Sequence, residues 1–206
     1  MDNIRFEIKM FRSKHRKGEK GFTLIELLVV AAIIGILLAI AIPNLLKARI
    51  SANEAGARKM MQTLWDAEGE YFEQDLDRNG TRDFTNLIGK QGVGKSLRQP
   101  DPSTFSDEDA LIDSTFEGAD DGQGATAANC ARPRSGYCVT FDNNVVKDAS
   151  GLYSDFGWQN SMTSVNKNGR KDFAVYGDKS IRCTVSTQAV GSHGAYEAVR
   201  SNGDCS

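Results

Sequence analysis

The sequence has little of the chemistry from which most enzyme active sites are built. Histidine occurs only twice, at His15 and His193. The chain contains no zinc-peptidase helix motif and no nucleophile next to an obvious general base. These absences favour a structural or binding protein over an enzyme.

Cysteine is also scarce, and all four cysteines lie after residue 129: Cys130, Cys138, Cys183 and Cys205. In an oxidising compartment they would form two disulfides, for which three connectivities exist. None of the spacings is Cys-x-x-Cys, and His193 is the only histidine in that part of the chain. A zinc site is therefore the less favoured alternative.

Polar side chains are missing from the stretch between Leu27 and Ile42. Together with residues 22–25, this apolar run is long enough for a helix to cross a hydrocarbon core of roughly 30 Å. Glu26 is the one acidic residue in the run. Since an acid within a membrane segment costs on the order of 2.5–3.5 kcal/mol, we expect Glu26 to have a specific partner.

Charge is distributed unevenly on the two sides of Gly21. Residues 1–20 carry a net charge of +4 and the rest of the chain a net charge of −6. A basic segment before an apolar run predicts a cytoplasmic N-terminus and an exported C-terminal part. The acidic balance of the exported part argues against a general nucleic-acid-binding protein.

The junction at residues 20–23, Lys-Gly-Phe-Thr, and the run that follows it resemble the prepilin signature of type IV pilins and of the pseudopilins of type II secretion. The residues that carry the resemblance are Gly21, Phe22, Glu26, Gly35 and Pro43. It implies that a prepilin peptidase cuts after Gly21 and that Phe22 is then N-methylated. It also implies that Glu26 pairs with the amine of Phe22, on its own or a neighbouring subunit.

Beyond Pro43, where a helix can bend, apolar residues recur at helical spacing. They are Leu46, Ile50, Ala57, Met60, Leu64, Ala67 and Tyr71. This pattern predicts one helix from Phe22 to about Phe72. The resemblance implies an α+β fold, in which this long bent helix, its first half transmembrane, packs on a C-terminal antiparallel sheet. The expected divisions are a leader at 1–21, half-helices at 22–43 and 44–72, and a head at 73–206.

The rest of the chain divides into a loop-like part and a strand-like part. Residues 75–131 are rich in Gly, Asp, Ser, Thr and Gln and are predicted to be loops. The strand candidates are Tyr137–Phe141, Gly151–Trp158, Phe173–Tyr176 and Ile181–Ser186. Residues 177–179 would connect the last two strands as a hairpin.

Residues 89–96 match the phosphate-binding Walker A pattern letter for letter. That motif requires a helix directly after it, and Pro100 and Pro102 leave no room for one. A membrane-anchored nucleotide-binding protein is therefore only a minor alternative.

Residues 75–83 begin like a calcium-binding loop, with oxygen-bearing side chains at alternate positions and Gly80 at the sixth. The candidate ligands are Asp75, Asp77, Asn79 and Asp83. The usual glutamate at the twelfth position is replaced by Asn86, and an ordinary polar turn is the alternative. A similar run at residues 166–173 has only one carboxylate, Asp172, and is predicted to be a turn that leads into a strand.

The resemblance implies a structural subunit of a type IV pilus or a pilus-like filament, with a pseudopilin of type II secretion as the alternative. The implied partners are other pilin subunits, the prepilin peptidase, and an inner-membrane assembly platform with its ATPase. The chain would lie in the bacterial inner membrane before assembly and in a periplasmic or surface filament afterwards. Of the three disulfide connectivities, we favour Cys130–Cys138 with Cys183–Cys205, since many pilins have a C-terminal disulfide.

Overall fold

The computed structural model describes residues 21–89, 95–101, 103 and 109–205. Its helices are α1 (Leu24–Gln74) and α2 (Thr115–Ala119). Its strands are β1 (Asp120–Gln123), β2 (Tyr137–Phe141), β3 (Gly157–Met162), β4 (Lys171–Tyr176) and β5 (Ile181–Val185). The chain divides between Pro43 and Asn44 into two compact units.

The first unit contains the apolar beginning of helix α1. Every described residue of this unit is exposed, so the unit has no core of its own. The sequence favours helix here because the run is rich in Leu, Ala and Ile and contains a single glycine, Gly35. Pro43 lies inside the assigned helix.

The second unit begins with the amphipathic part of α1 and contains the hydrophobic core. The buried residues of this helix are Ile50, Ala57, Met60, Met61, Leu64, Ala67, Glu68 and Tyr71. The predicted apolar face is thus confirmed from Ile50 onward. Leu46, which we assigned to the same face, is 53% exposed instead. The helix ends at Gln74, and Asp75 follows in a left-handed conformation with φ of 46°.

The five strands form one sheet in the order β1-β2-β3-β4-β5. β2 to β5 pair antiparallel, and the turn at residues 177–179 connects β4 to β5 as predicted. β1 pairs parallel with β2, so the sheet is mixed and not purely antiparallel. The prediction of residues 75–131 as loops missed both α2 and β1.

The predicted strand at Gly151–Trp158 is wrong, because β3 runs from Gly157 to Met162. Its middle residues are Gln159, Asn160 and Ser161, which do not look like a buried strand. All three are buried, and each side chain forms a hydrogen bond inside the protein. Buried polar groups are acceptable when they are paired in this way, and that pairing is invisible in the sequence.

The described residues of the long segment between α1 and α2 form no strand or long helix, but they contribute to the core. Ile88, Leu97 and Ile112 are buried there, and the backbone N–H of Leu97 donates to the carbonyl of Leu87 at 2.9 Å. Residues 90–94 of the Walker A match lie outside the described residues. Ser96 to Gln99 form a turn and not the helix that a phosphate-binding loop needs.

Candidate functional site

The N-terminal junction lies directly before helix α1. Gly21 and Phe22 are exposed, and Phe22 is 88% exposed. The basic leader, residues 1–20, lies outside the described residues. Thr23 precedes the first helical residue, Leu24.

Glu26 and Thr23 form a reciprocal cap on this helix end. Glu26 Oε2 accepts hydrogen bonds from the backbone N–H of Thr23 at 2.9 Å and from its hydroxyl at 2.8 Å. The backbone N–H of Glu26 lies 3.3 Å from the Thr23 hydroxyl oxygen, to which it donates. This is the capping-box arrangement, in which two backbone donors of the first turn are satisfied. Since Phe22 is still joined to Gly21 here, the pairing of Glu26 with a free Phe22 amine stays a prediction.

Helix α1 continues from this cap as an uncovered apolar surface. Its large exposed side chains include Leu27, Leu28, Ile33, Ile36, Leu37 and Ile40. The helix is long and apolar enough to cross a membrane by length and composition. Gly35 has nothing within 4 Å of the place where a Cβ would stand, so a neighbouring molecule can approach the backbone there.

The loop after α1 brings the four candidate calcium ligands into one turn. The side-chain amide of Asn79 donates to Asp77 at 2.8 Å and to Asp83 at 3.2 Å. Asp75 accepts from the backbone N–H of Gly80 at 3.0 Å, and its other carboxylate oxygen is buried without a hydrogen-bond partner. An oxygen-rich turn with such an oxygen fits a hard cation.

Part of the negative charge of this loop is neutralised by the protein itself. Lys95 Nζ lies 3.1 Å from a carboxylate oxygen of Asp77. Partial burial, and then the neighbouring Asp77 carboxylate, raises the pKa of Asp83 above its ordinary value. The loop therefore still holds more negative charge than one lysine compensates.

Comparison with known proteins places the N-terminal region among prepilins. The family described as the prokaryotic N-terminal methylation motif matches residues 16–42. The chain is 40% identical over 77 residues to the type IV major pilin protein PilA of Myxococcus xanthus, which is 37% of this chain and 34% of that protein. It is 66% identical over 38 residues to the type IV wide pilus major component PilA4 of Thermus thermophilus, which is 18% of this chain and 29% of that protein.

A third relative is matched over most of its length. The ComG operon protein 3 homolog of Bacillus licheniformis is 34% identical over 84 residues, which cover 40% of this chain and 84% of that protein. The chain belongs to the type IV pilin and pseudopilin family. It spans only about a third of the length of the two PilA relatives.

A buried acid on the packed half of α1 was missed by the sequence analysis. Glu68, on the packed face of α1, is fully buried and accepts from the Trp158 indole N–H at 2.7 Å and from the Thr85 backbone N–H at 3.2 Å. Burial raises its pKa to about 8, although these two hydrogen bonds oppose the shift. Its position four residues after Leu64 and three before Tyr71 was a usable signal, since all three lie on one helix face.

Two disulfides stabilise the pilin head. The structure pairs Cys130 with Cys138 at a Cα separation of 5.6 Å and Cys183 with Cys205 at 5.5 Å, which is the connectivity favoured from the sequence. The second bond attaches the end of the chain to β5, the outermost strand. Residue 205 also pairs with β5 through its backbone N–H, which donates to the carbonyl of Ile181 at 3.0 Å.

Proposed function

We propose that this chain is a structural subunit of a type IV pilus or a pilus-like filament. The observation that carries the proposal is the apolar half of α1, which belongs to an N-terminal methylation motif and whose described residues are all exposed. An exposed apolar surface of this size is unusual for a soluble protein and needs lipid or protein around it.

The same surface serves the subunit in two successive environments. Before assembly, the bilayer covers the helix and retains the subunit. In the filament, other copies of the helix cover it, and each large apolar side chain that they bury contributes about 1.5–3 kcal/mol relative to exposure to water. A head-to-tail contact that does not close on itself then generates a helical array of subunits.

Processing and assembly would use the partners that the family implies. A prepilin peptidase would cut after Gly21 and leave an N-methylated Phe22. Glu26 would then pair with the new amine, and an inner-membrane platform with its ATPase would move the subunit into the filament. The role of the chain in this process is structural and not catalytic.

A pseudopilin of type II secretion is the second candidate. The match to the ComG operon protein 3 homolog, which covers 84% of that protein, is consistent with this alternative.

Shearing of intact cells followed by N-terminal sequencing tests both the processing and the type of filament. We expect the protein to be abundant in the sheared extracellular fraction and to begin at N-methylated Phe22. A variant with Gly21→Ile should keep its leader and be absent from that fraction. Assembled protein with an intact leader would contradict the proposal, whereas correctly cut protein that stays in the cell envelope would favour the pseudopilin.

A further inference from the structure

The face of the sheet opposite helix α1 is covered by residues 191–198, here called the strap, which contains no helix or strand. Its backbone is bonded to the head at several points. The N–H of Gly194 donates to the carbonyl of Met162 at 2.8 Å, and the carbonyl of Ser192 accepts from the N–H of Val165 at 2.9 Å. The carbonyl of Ala198 accepts from the side chain of Gln159 at 2.7 Å.

Alternation along β3 shows that the strap and the helix lie on opposite faces. The side chains of Trp158 and Asn160 bond to helix α1, at Glu68 and at the carbonyl of Ala57. Gln159 and Ser161, which point the other way, bond to the strap. This second cover explains why every residue of β3 is buried.

Asp172 on β4 is a buried carboxyl group between the sheet and the strap. One oxygen accepts from the Ser161 hydroxyl at 2.6 Å, and the other accepts from the backbone N–H of Glu197 at 3.1 Å. Asp172 thus joins β3, β4 and the strap, and it is fully buried.

The charged and titratable groups around Asp172 do not compensate a negative charge. On the strap side it faces the Glu197 carboxylate and the Tyr196 phenol. The Tyr137 phenol of β2 is also near it, but it lies on the α1 face of the sheet, where it donates to the Lys171 carbonyl at 2.9 Å. Lys171, its neighbour on β4, lines a cleft beside α1 on the opposite face. Among the described residues, no Lys, Arg or His forms an ion pair with Asp172. Burial therefore raises the pKa of Asp172 to about 7, against the opposing effect of its hydrogen bonds.

We propose that the Asp172 carboxyl group is a proton-dependent clasp, which holds the strap on the sheet when protonated and holds it less firmly once ionised. This property belongs to the head and goes beyond the role of the chain in a filament. The Cys183–Cys205 disulfide keeps the end of the chain attached to β5 while the strap opens.

The direction of the effect follows from proton linkage. The closed strap holds the proton of Asp172 more tightly than an open strap, in which the carboxyl group is exposed and has its ordinary pKa. Closure is therefore favoured most at low pH and weakens as the pH rises to about 7. Glu197 acts in the opposite sense. Burial opposes the shift, but hydrogen bonds from Gln188 and Thr187 lower the pKa of Glu197. Because its ionised form is the one that the closed strap favours, protonation of Glu197 in strong acid weakens the contact of this residue with Thr187 and Gln188.

Native-state hydrogen exchange on the full chain in detergent micelles tests the clasp. The opening constant of the Gly194 and Glu197 amides, corrected for the intrinsic effect of pH on exchange, should rise by up to about tenfold per pH unit between pH 5 and 7 and level off above pH 8. Amides of the β3–β4 ladder provide the internal reference. In Asp172→Asn, the opening constant of the strap amides should not depend on pH over this range.

Asp66→Asn, which removes an exposed carboxylate on α1, is the matched control and should keep the wild-type profile. The proposal fails if the opening constant of the wild-type strap amides changes by less than about twofold between pH 5 and 7. It also fails if the opening constant in Asp172→Asn keeps its pH dependence. If Asp172→Asn does not fold, the wild-type profile of the strap against the β3–β4 amides still decides the question.

Discussion

The two halves of helix α1 differ both in apolar content and in surroundings, since the first half is almost entirely apolar and the second is amphipathic. From residue 24 to residue 43 every side chain is exposed, whereas from Ile50 to Tyr71 one face is buried against the sheet and the loops of the head. The second half buries one face of its apolar residues within the chain. The first half leaves them exposed, and under the proposed function lipid or other subunits cover them.

The acids on the two halves show the same contrast. Glu26 is exposed, and among the described residues its carboxylate bonds to Thr23 alone, three residues away. Glu68 is buried and bonds to Trp158 and Thr85, which are far from it in sequence. Glu26 accepts from one N–H and one O–H of the same residue, whereas Glu68 accepts from two N–H groups. Glu26 is therefore positioned locally and stays accessible to a partner, whereas Glu68 is committed to the fold.

The largest effect that we expect concerns Glu26. Glu26→Leu should insert in the membrane as well as the wild type, because the substitution only increases hydrophobicity. It should reduce sheared filaments by at least about tenfold, since one unmade charge pair in lipid costs more than 1.4 kcal/mol. Membrane fractionation and quantification of filaments measure the two properties separately. Filaments of normal number and length would contradict the assembly role of Glu26.

A pair of leucine substitutions separates the two halves of the helix directly. Leu64→Ala should lower the free energy of unfolding of the head by about 3–5 kcal/mol, because Leu64 is fully buried and its removal leaves a cavity. Leu37→Ala should change this free energy by less than about 0.5 kcal/mol, because Leu37 is exposed within its own chain. Only Leu37→Ala should reduce filament yield without destabilising the head. Equal effects of both variants on urea unfolding would refute the distinction.

A smaller effect is expected from the buried acid of the packed half. The pKa of Glu68 is raised to about 8 in the folded head, so its stabilising contribution is complete below about pH 4.5 and is lost as the pH rises through 8. Stability should therefore fall by on the order of 3 kcal/mol between pH 5 and 8. Glu68→Gln should reduce this fall in the free energy of unfolding with pH and leave the part that is due to Asp172. Glu70→Gln, on the exposed side of α1, should leave the whole pH dependence unchanged. Urea unfolding of both variants across this range is the measurement.

The helix could be predicted from the sequence because its signal is local. Apolar spacing places the packed face, and the junction around Gly21 and Phe22 predicts a processing site through its resemblance to prepilins. The assignment of Leu46 to the packed face was wrong, because spacing shows on which side of a helix a residue lies but not where the head begins to cover that side. That boundary depends on tertiary packing.

The sheet was predicted less well because buried polar side chains of its strands form hydrogen bonds with groups that are distant in the sequence. Gln159 and Ser161 look like loop residues until the strap supplies partners almost 40 residues further along the chain. Asp172 was correctly placed after a turn, but its burial could not be foreseen from residues 166–173 alone. The similar run at 77–84 leaves Asp83 half-exposed in a loop. Local sequence thus predicted both turns but not their surroundings.

The smallest effect that we expect is calcium binding at the end of the packed half-helix. Asp75, Asp77, Asn79 and Asp83 present oxygen atoms in one turn, and Asp75 has a buried oxygen without a partner. Lys95 already neutralises one carboxylate, and the twelfth-position glutamate is missing. We therefore expect weak binding, with a Kd of about 10⁻⁴–10⁻³ M, in the range of extracellular modules.

At 5 mM calcium, such a site should stabilise the head by about 1–2 kcal/mol. Calorimetry and thermal unfolding of residues 44–206, whose core lies entirely within that fragment, provide the test. Asp75→Asn should abolish the calcium-dependent rise in Tm, and the exposed Asp66→Asn should preserve it. Magnesium should be a poor substitute, because its octahedral demand suits this flexible turn less well than calcium does. If calcium produces neither heat nor a rise in Tm, residues 75–83 are an ordinary polar turn, and the end of the packed half-helix is fixed by the protein alone.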